Sequence, residues 1–163
     1  VAHVYQVEVE FSAKTTHRNL GSTAGGVALA IADLGTSGLL LGATLAAMFL
    51  GHWYLNTPTM QLMPLRRLIA MLLLAVAARA VVSGTGLALV GGSASPDTQF
   101  WIFVAFRWLS GILGTAVFAV MAWQALRIPN TQSATGILYA AVVVVFLGEL
   151  TSQLLSVDRL YPL

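Results

Sequence analysis

Long apolar segments dominate the pattern of this chain, and short polar stretches separate them. Four such segments cover residues 23–54, 65–90, 100–126 and 133–157. A helix needs about 20 predominantly apolar residues to cross the hydrocarbon core of a bilayer, and each segment meets that length. Proline or paired glycine marks each connection between them. The pattern predicts an all-α integral membrane protein, built as a bundle of four transmembrane helices.

The first segment is longer than one perpendicular crossing requires. A helix over residues 23–54 would extend about 48 Å, against a hydrocarbon core of about 30 Å. Tilt absorbs part of the difference. Gly25, Gly26 and Gly35 also allow a break into a short interfacial helix followed by a span. We expect one long or kinked helix.

Residues 1–22 form the only substantial polar stretch and are predicted to be an extramembrane segment. Within it, residues 5–11 alternate apolar and polar side chains, which is the period of a half-buried strand. The chain offers no second strand to pair with it. We therefore expect pairing with another chain, or a remnant of a larger upstream part. A helix that continues an upstream helix is the alternative.

The composition agrees with a membrane protein. Of the 163 residues, 58% are hydrophobic and 9% are charged, and the mean hydropathy is +0.83. Soluble domains carry about 25% charged residues, so this chain cannot cover a water-exposed surface. Disordered chains are poor in aliphatic and aromatic residues, in which this chain is rich. Soluble and disordered classes are both excluded.

The remaining totals narrow the function by exclusion. The net charge is +2 and the only adjacent basic pair is Arg66–Arg67. The chain therefore lacks the run of basic residues that binds nucleic-acid phosphates. Cysteine is absent, which excludes disulfides and thiolate metal sites. No nucleophile elbow, zinc-protease motif, phosphate-binding loop or histidine cluster with metal spacing occurs. We predict no catalytic residue, no metal site and no enzyme activity of the chain on its own.

One charged residue interrupts each apolar segment, namely Asp33, Arg79, Arg107 and Glu149. A charge near the bilayer centre is costly, so it faces the bundle interior or water and takes a partner. We call the membrane side at which the first segment begins side A, and the opposite side, side B. Helical rise places the four residues about 15, 18, 12 and 14 Å from side A, all in one half of the bilayer. We predict one buried network, in which Arg79 or Arg107 pairs with Glu149 and Asp33 completes it.

Two roles fit this network. Its two acids and two bases cancel in formal charge, and polar groups of this kind hold membrane helices together. The second role is a site for a proton, an ion or a quinone, because intramembrane ionisable residues mark such pathways. The structural role is the first interpretation, and the sequence leaves both open.

Small residues at helical spacing predict close helix packing. Gly38 and Gly42 form one such step in the first segment, and Ala46 continues it one turn later. Ser110 and Gly114 form another in the third segment. Small side chains let helix backbones approach in lipid, where hydrophobicity does not drive association. These steps favour a bundle or a partner helix and say nothing about chemistry.

His52, Trp53 and Tyr54 lie at the side-B end of the first segment. Trp and Tyr at a helix end form the aromatic belt of the membrane interface. His52 can cap polar groups there, hydrogen-bond a quinone, or ligate the metal of a haem or chlorophyll. His3 and His17 belong to the polar N-terminal segment, so a second inward imidazole is missing. We predict these three residues as a cofactor-binding group only where quinone, haem or chlorophyll is shared with a partner chain.

Basic residues in short flanks set the orientation of membrane helices. The connection of residues 91–99 holds Asp97 and no Lys or Arg, so we expect it and the N-terminus on the non-cytoplasmic side. The connections at side B would then be cytoplasmic. Their three basic residues, Arg66, Arg67 and Arg127, are balanced by three in the side-A flanks, Lys14, Arg18 and Arg159.

These observations favour a non-catalytic integral membrane subunit that acts as anchor or scaffold within a larger membrane complex. Its expected partners are the lipid bilayer and other membrane subunits, and not nucleic acid. One alternative is a subunit of an electron-transfer or photosynthetic complex that helps to bind quinone, haem or chlorophyll. A second is a small proton- or ion-coupled transporter that works as an oligomer, because four helices are few for a monomeric transporter.

Overall fold

The computed structural model describes residues 24–57, 61–90, 98–128 and 130–158. Within these ranges, four helical spans are long and apolar enough to cross a membrane, which confirms the predicted all-α four-helix bundle. The predicted N-terminal strand and residues 91–97 lie outside the described residues. The protein is an integral membrane protein by the length and hydropathy of these spans.

The first two spans are each a single helix. Helix α1 covers Ala24–Asn56 and is continuous over 33 residues, so the predicted long helix has no break at Gly35. Helix α2 covers Met63–Val90. The fourth span is helix α5, Thr131–Asp158, and the side chain of Asn130 caps it by accepting a 3.0 Å hydrogen bond from the Ser133 N–H.

The third span changes its hydrogen-bond pattern in the middle. Helix α3 covers Thr98–Arg107, a π-helical segment covers Trp108–Gly114, and helix α4 covers Thr115–Ala125. A π-helix bonds each N–H to the carbonyl five residues earlier and widens the turn. The sequence predicts one regular helix here, because hydropathy does not distinguish an α-helical from a π-helical hydrogen-bond pattern.

Helix α5 occupies the central position of the bundle. It packs against α1, α3, the π segment and α4. Helix α2 packs against α1 on one side and mainly against α4 on the other. Among the described helices, the backbone of α3 packs against α5 but not against α1 or α2. Helix α3 reaches α2 through the hydrogen bond that Arg107 donates to Ser83. The third span therefore approaches α2 at its side-B half and diverges from it toward side A.

The interior of the bundle is apolar toward side B and polar toward side A. Large aliphatic side chains at its centre are almost fully buried, among them Leu40, Leu65, Leu72, Leu126 and Leu138. Large apolar side chains also cover the outside, as expected for spans in lipid, among them Ile31, Leu34, Leu74, Leu109 and Leu154. Asp33, Arg79 and Arg107 are buried in the side-A half, and Glu149 is half-buried beside them.

A close backbone approach joins the third and fourth spans. A Cβ placed on Gly148 would collide with the backbone of Gly111, and one placed on Gly111 would lie 3.1 Å from the Gly148 Cα. Gly114 meets the Val144 side chain one helical turn further on. By contrast, a Cβ on Gly38 or Gly42 would meet nothing within 4 Å in the described part of the chain.

Candidate functional site

Arg79 of α2 lies at the centre of the buried charges, with 1% of its surface exposed. Its Nε donates to Oε1 of Glu149 at 3.0 Å, and its Nη2 donates to Oε2 of the same carboxylate at 2.9 Å. This parallel pairing matches the planar guanidinium to the planar carboxylate. The ion pair joins the second span to the fourth.

The third nitrogen of the same guanidinium reaches the first span. Nη1 of Arg79 donates to Oδ1 of Asp33, with which it forms a second ion pair, and to the Asp33 backbone carbonyl at 3.1 Å. Thr36 lies one turn along α1, and its hydroxyl oxygen is 3.4 Å from the same Nη1. One buried cation therefore holds carboxylates from α1 and α5 at once.

Hydroxyl groups complete the surroundings of these charges. Ser37 of α1 donates to Oε2 of Glu149, and Ser152 of α5 accepts from Nη2 of Arg79 at 3.3 Å. Every nitrogen of the Arg79 guanidinium thus donates to at least one acceptor. Buried charges are tolerated in lipid when they are paired and hydrogen-bonded in this way. We call Arg79, Asp33, Glu149, Ser37 and Ser152 the Arg79 cluster.

Arg107 lies beside the Arg79 cluster and is held differently. It is the last residue of α3 and 2% exposed, and its Nη2 donates to Ser83 Oγ at 2.7 Å. Within the described ranges, its Nη1 has no hydrogen-bond partner, and it forms no ion pair with Asp33 or Glu149. The structure therefore brings three of the four predicted charges into direct contact and leaves the fourth on a neighbouring hydroxyl.

The π segment and the glycine contact stand next to these charges. The π segment begins directly after Arg107 and contains Gly111. Gly111 touches Gly148, which precedes Glu149 in α5. Because neither glycine has a side chain, the two backbones approach closely at the level of the cluster. Irregular turns of this kind are frequent at functional sites of membrane and soluble helices.

No protein-family model, curated protein or solved structure matches the chain. The Arg79 cluster can lock three helices together, because each of its charges has a partner on another helix. Its two carboxylates are not fully enclosed, since 13% of the Glu149 side chain and 11% of the Asp33 side chain are exposed.

The predicted cofactor group does not converge on one pocket. His52 is exposed, its Nδ1 lies 3.3 Å from the Tyr139 hydroxyl oxygen, and the two rings meet edge to face. Trp53 is 62% exposed on the outside of α1. Tyr54 is 2% exposed and donates to the Gln61 carbonyl at 2.7 Å. Consecutive helical residues point about 100° apart, which separates the three side chains. A shared quinone, haem or chlorophyll stays a prediction.

The hydroxyl residues of the site were not predicted from the sequence. Each lies three or four positions after a charged residue on the same helix, which is the spacing of neighbours on one helix face. Thr36 and Ser37 follow Asp33, Ser83 follows Arg79, and Ser152 follows Glu149. A search for hydroxyls at these spacings from each intramembrane charge would have found all four.

Proposed function

We propose that the protein is a non-catalytic integral membrane subunit that anchors or scaffolds a larger membrane assembly. The observation that carries this proposal is the outer face of α1. Gly35, Gly38, Gly42 and Ala46 lie along it and are exposed, and among the described residues nothing lies within 4 Å of a Cβ placed on any of the three glycines. We call these four residues the α1 small-residue face.

A face of this composition suits a partner helix. Small residues let two helix backbones come close, and the gain in lipid comes from packing contacts rather than from hydrophobic burial. The bundle's own close contact uses a different pair, Gly111 and Gly148. The α1 small-residue face is therefore available to a neighbouring subunit or a second copy without rearrangement of the described helices.

The Arg79 cluster supports the same role. A scaffold needs a bundle whose helices hold a fixed register while partners bind outside. Arg79 links α1, α2 and α5 through one saturated guanidinium, and a buried charge that loses its partner is strongly destabilising. A cluster of this kind favours one arrangement of the helices over others.

The test is the mass of the assembly in mild detergent, with a matched control. Gly38→Leu and Gly42→Leu fill the α1 small-residue face, whereas Gly136→Leu fills an equally open position on α5. We expect the wild-type protein and Gly136→Leu to elute as an assembly larger than a monomer of 17.2 kDa, and the two α1 variants to elute as monomers. A wild-type protein that is stable and monodisperse as a monomer contradicts the proposal.

One observation favours a second function, a proton- or ion-coupled transporter that works as an oligomer. Arg107 keeps a buried, unpartnered N–H within the described ranges, beside the carboxylate pair and a π segment. Intramembrane ionisable groups mark proton and ion pathways, and an N–H that lacks a fixed partner is free to bind a carboxylate during transport. Reconstituted vesicles with a pH-sensitive dye test this idea. Flux that is lost in Glu149→Gln supports transport, and flux that is absent or independent of Glu149 excludes it.

A further inference from the structure

An apolar groove of about 430 Å³ runs on the outside of the bundle between α2 and α4. Its lining comes from both helices, namely Ala70, Leu73, Leu74, Val120 and Trp123. The volume lies within the roughly 300–1,000 Å³ of ligand-binding clefts. The groove lies in the side-B half of the bundle, whereas the Arg79 cluster lies in the side-A half. Its lining suits a hydrocarbon chain.

Two arginines stand at the side-B end of the groove, Arg67 in α2 and Arg127 in the turn that follows α4. Arg67 precedes Ala70 by one helical turn, and Arg127 follows Trp123 by one turn. Both side chains are exposed, and neither forms an ion pair within the described ranges. Arg66 has a partner within the protein: its Nη2 donates to the backbone carbonyl of Leu126, directly after α4, at 2.8 Å.

The sequence leaves these two charges uncompensated. The chain has no Asp or Glu from residue 34 to residue 96, and none from residue 98 to residue 148. Both connections on side B therefore carry arginine without any acid. Lipid phosphate is the anion that a cationic membrane edge meets first, and basic pockets between helices at such an edge bind anionic head groups.

We propose that this groove is a binding site for an anionic phospholipid. One acyl chain lies in the groove along Leu73, Leu74 and Val120, and the phosphate is held between Arg67 and Arg127. Trp123 lies at the level where the chain meets the head group, the depth that Trp prefers in membranes. The apolar part holds any lipid tail, and the arginine pair provides the selectivity for negative charge.

Native mass spectrometry of the protein from vesicles of equal phosphatidylglycerol and phosphatidylcholine tests the site. We expect the wild-type protein to retain phosphatidylglycerol preferentially. The variant Arg67→Gln/Arg127→Gln should bind it roughly 30-fold more weakly, because each arginine near the surface contributes about a fivefold factor. The charge-matched control Lys14→Gln/Arg18→Gln removes the same charge from the N-terminal segment and should retain the lipid. Unchanged thermal unfolding establishes that the variants fold.

A second pair of variants tests the groove itself. Leu74→Trp places a larger ring against the groove, and Leu34→Trp makes the same change on α1, at a position of similar exposure. Only Leu74→Trp should lose retained phosphatidylglycerol. Equal retention of both lipids by the wild type, or an unchanged preference in Arg67→Gln/Arg127→Gln, overturns the proposal. Equal behaviour of the two tryptophan variants, or a polypeptide bound in place of lipid, overturns it as well.

Discussion

Arg79 and Glu149 form a two-point ion pair between α2 and α5, with nitrogen–oxygen distances of 3.0 and 2.9 Å. The pair fixes the rotation of both helices, because each of the two bonds requires its own alignment of the planar groups. Asp33 binds the remaining side of the same guanidinium. Three spans therefore depend on one side chain, which makes Arg79 the first residue to change.

Arg79→Met should strongly destabilise the bundle. The substitution keeps an unbranched side chain but leaves two buried carboxylates without their cation. Breaking a buried pair by removing one partner costs about 3–5 kcal/mol. The measurement is the free energy of unfolding in mixed micelles titrated with sodium dodecyl sulfate. The triple variant Arg79→Met/Asp33→Asn/Glu149→Gln, which removes all three charges, should recover part of the loss. An Arg79→Met protein as stable as the wild type contradicts the assignment.

Arg107→Met should be far milder, although Arg107 is as deeply buried as Arg79. Arg107 donates to Ser83 and keeps an unpartnered Nη1 within the described ranges, so the methionine removes an incompletely satisfied charge. Replacing such groups by apolar ones of similar volume is often neutral or stabilising. We expect a change of less than about 1 kcal/mol in the same titration. A loss equal to that of Arg79→Met would mean that Arg107 compensates the carboxylates directly.

The fold was accessible from the sequence because lipid imposes a simple rule. A span must be long, helical and apolar, so hydropathy was sufficient to predict a bundle of four apolar helices. The π segment from Trp108 to Gly114 was not accessible. Its residues are as apolar as those of a regular helix, and the change lies in which carbonyl each N–H selects. That choice depends on packing, and Gly111 of the π segment packs directly against Gly148.

The candidate site was accessible in part. Helical rise gives the depth of each charge, because it requires only the residue count and the direction of the span. It does not give the rotation of a helix about its axis. Arg79 and Arg107 were therefore equivalent in the sequence argument, and the structure separates them: Arg79 faces both carboxylates, whereas Arg107 faces Ser83.

Gly148→Ala should destabilise the contact between the third and fourth spans. The new Cβ would collide with the backbone of Gly111, and backbone cannot move aside as a flexible side chain does. Overpacking of this kind costs roughly 1–3 kcal/mol. Gly136→Ala in the same helix is the control, because a Cβ there meets nothing within 4 Å in the part of the chain that the structure describes. It should be neutral or stabilising by up to about 1 kcal/mol, since Ala favours the helix. Equal effects of the two substitutions contradict the close approach.

Tyr54→Phe should destabilise the side-B end of the bundle. The Tyr54 hydroxyl is buried and donates to the Gln61 carbonyl at 2.7 Å, which ties α1 to the residues that enter α2. Its removal leaves that carbonyl without this donor and should lower the free energy of unfolding by about 1 kcal/mol. Tyr139→Phe removes an exposed hydroxyl 3.3 Å from His52 Nδ1, and a change there should stay within about 0.5 kcal/mol. A larger loss of unfolding free energy in Tyr139→Phe than in Tyr54→Phe would contradict this assignment. The contact between Tyr139 and His52 would then stabilise this end of the bundle more than the Tyr54 hydrogen bond does.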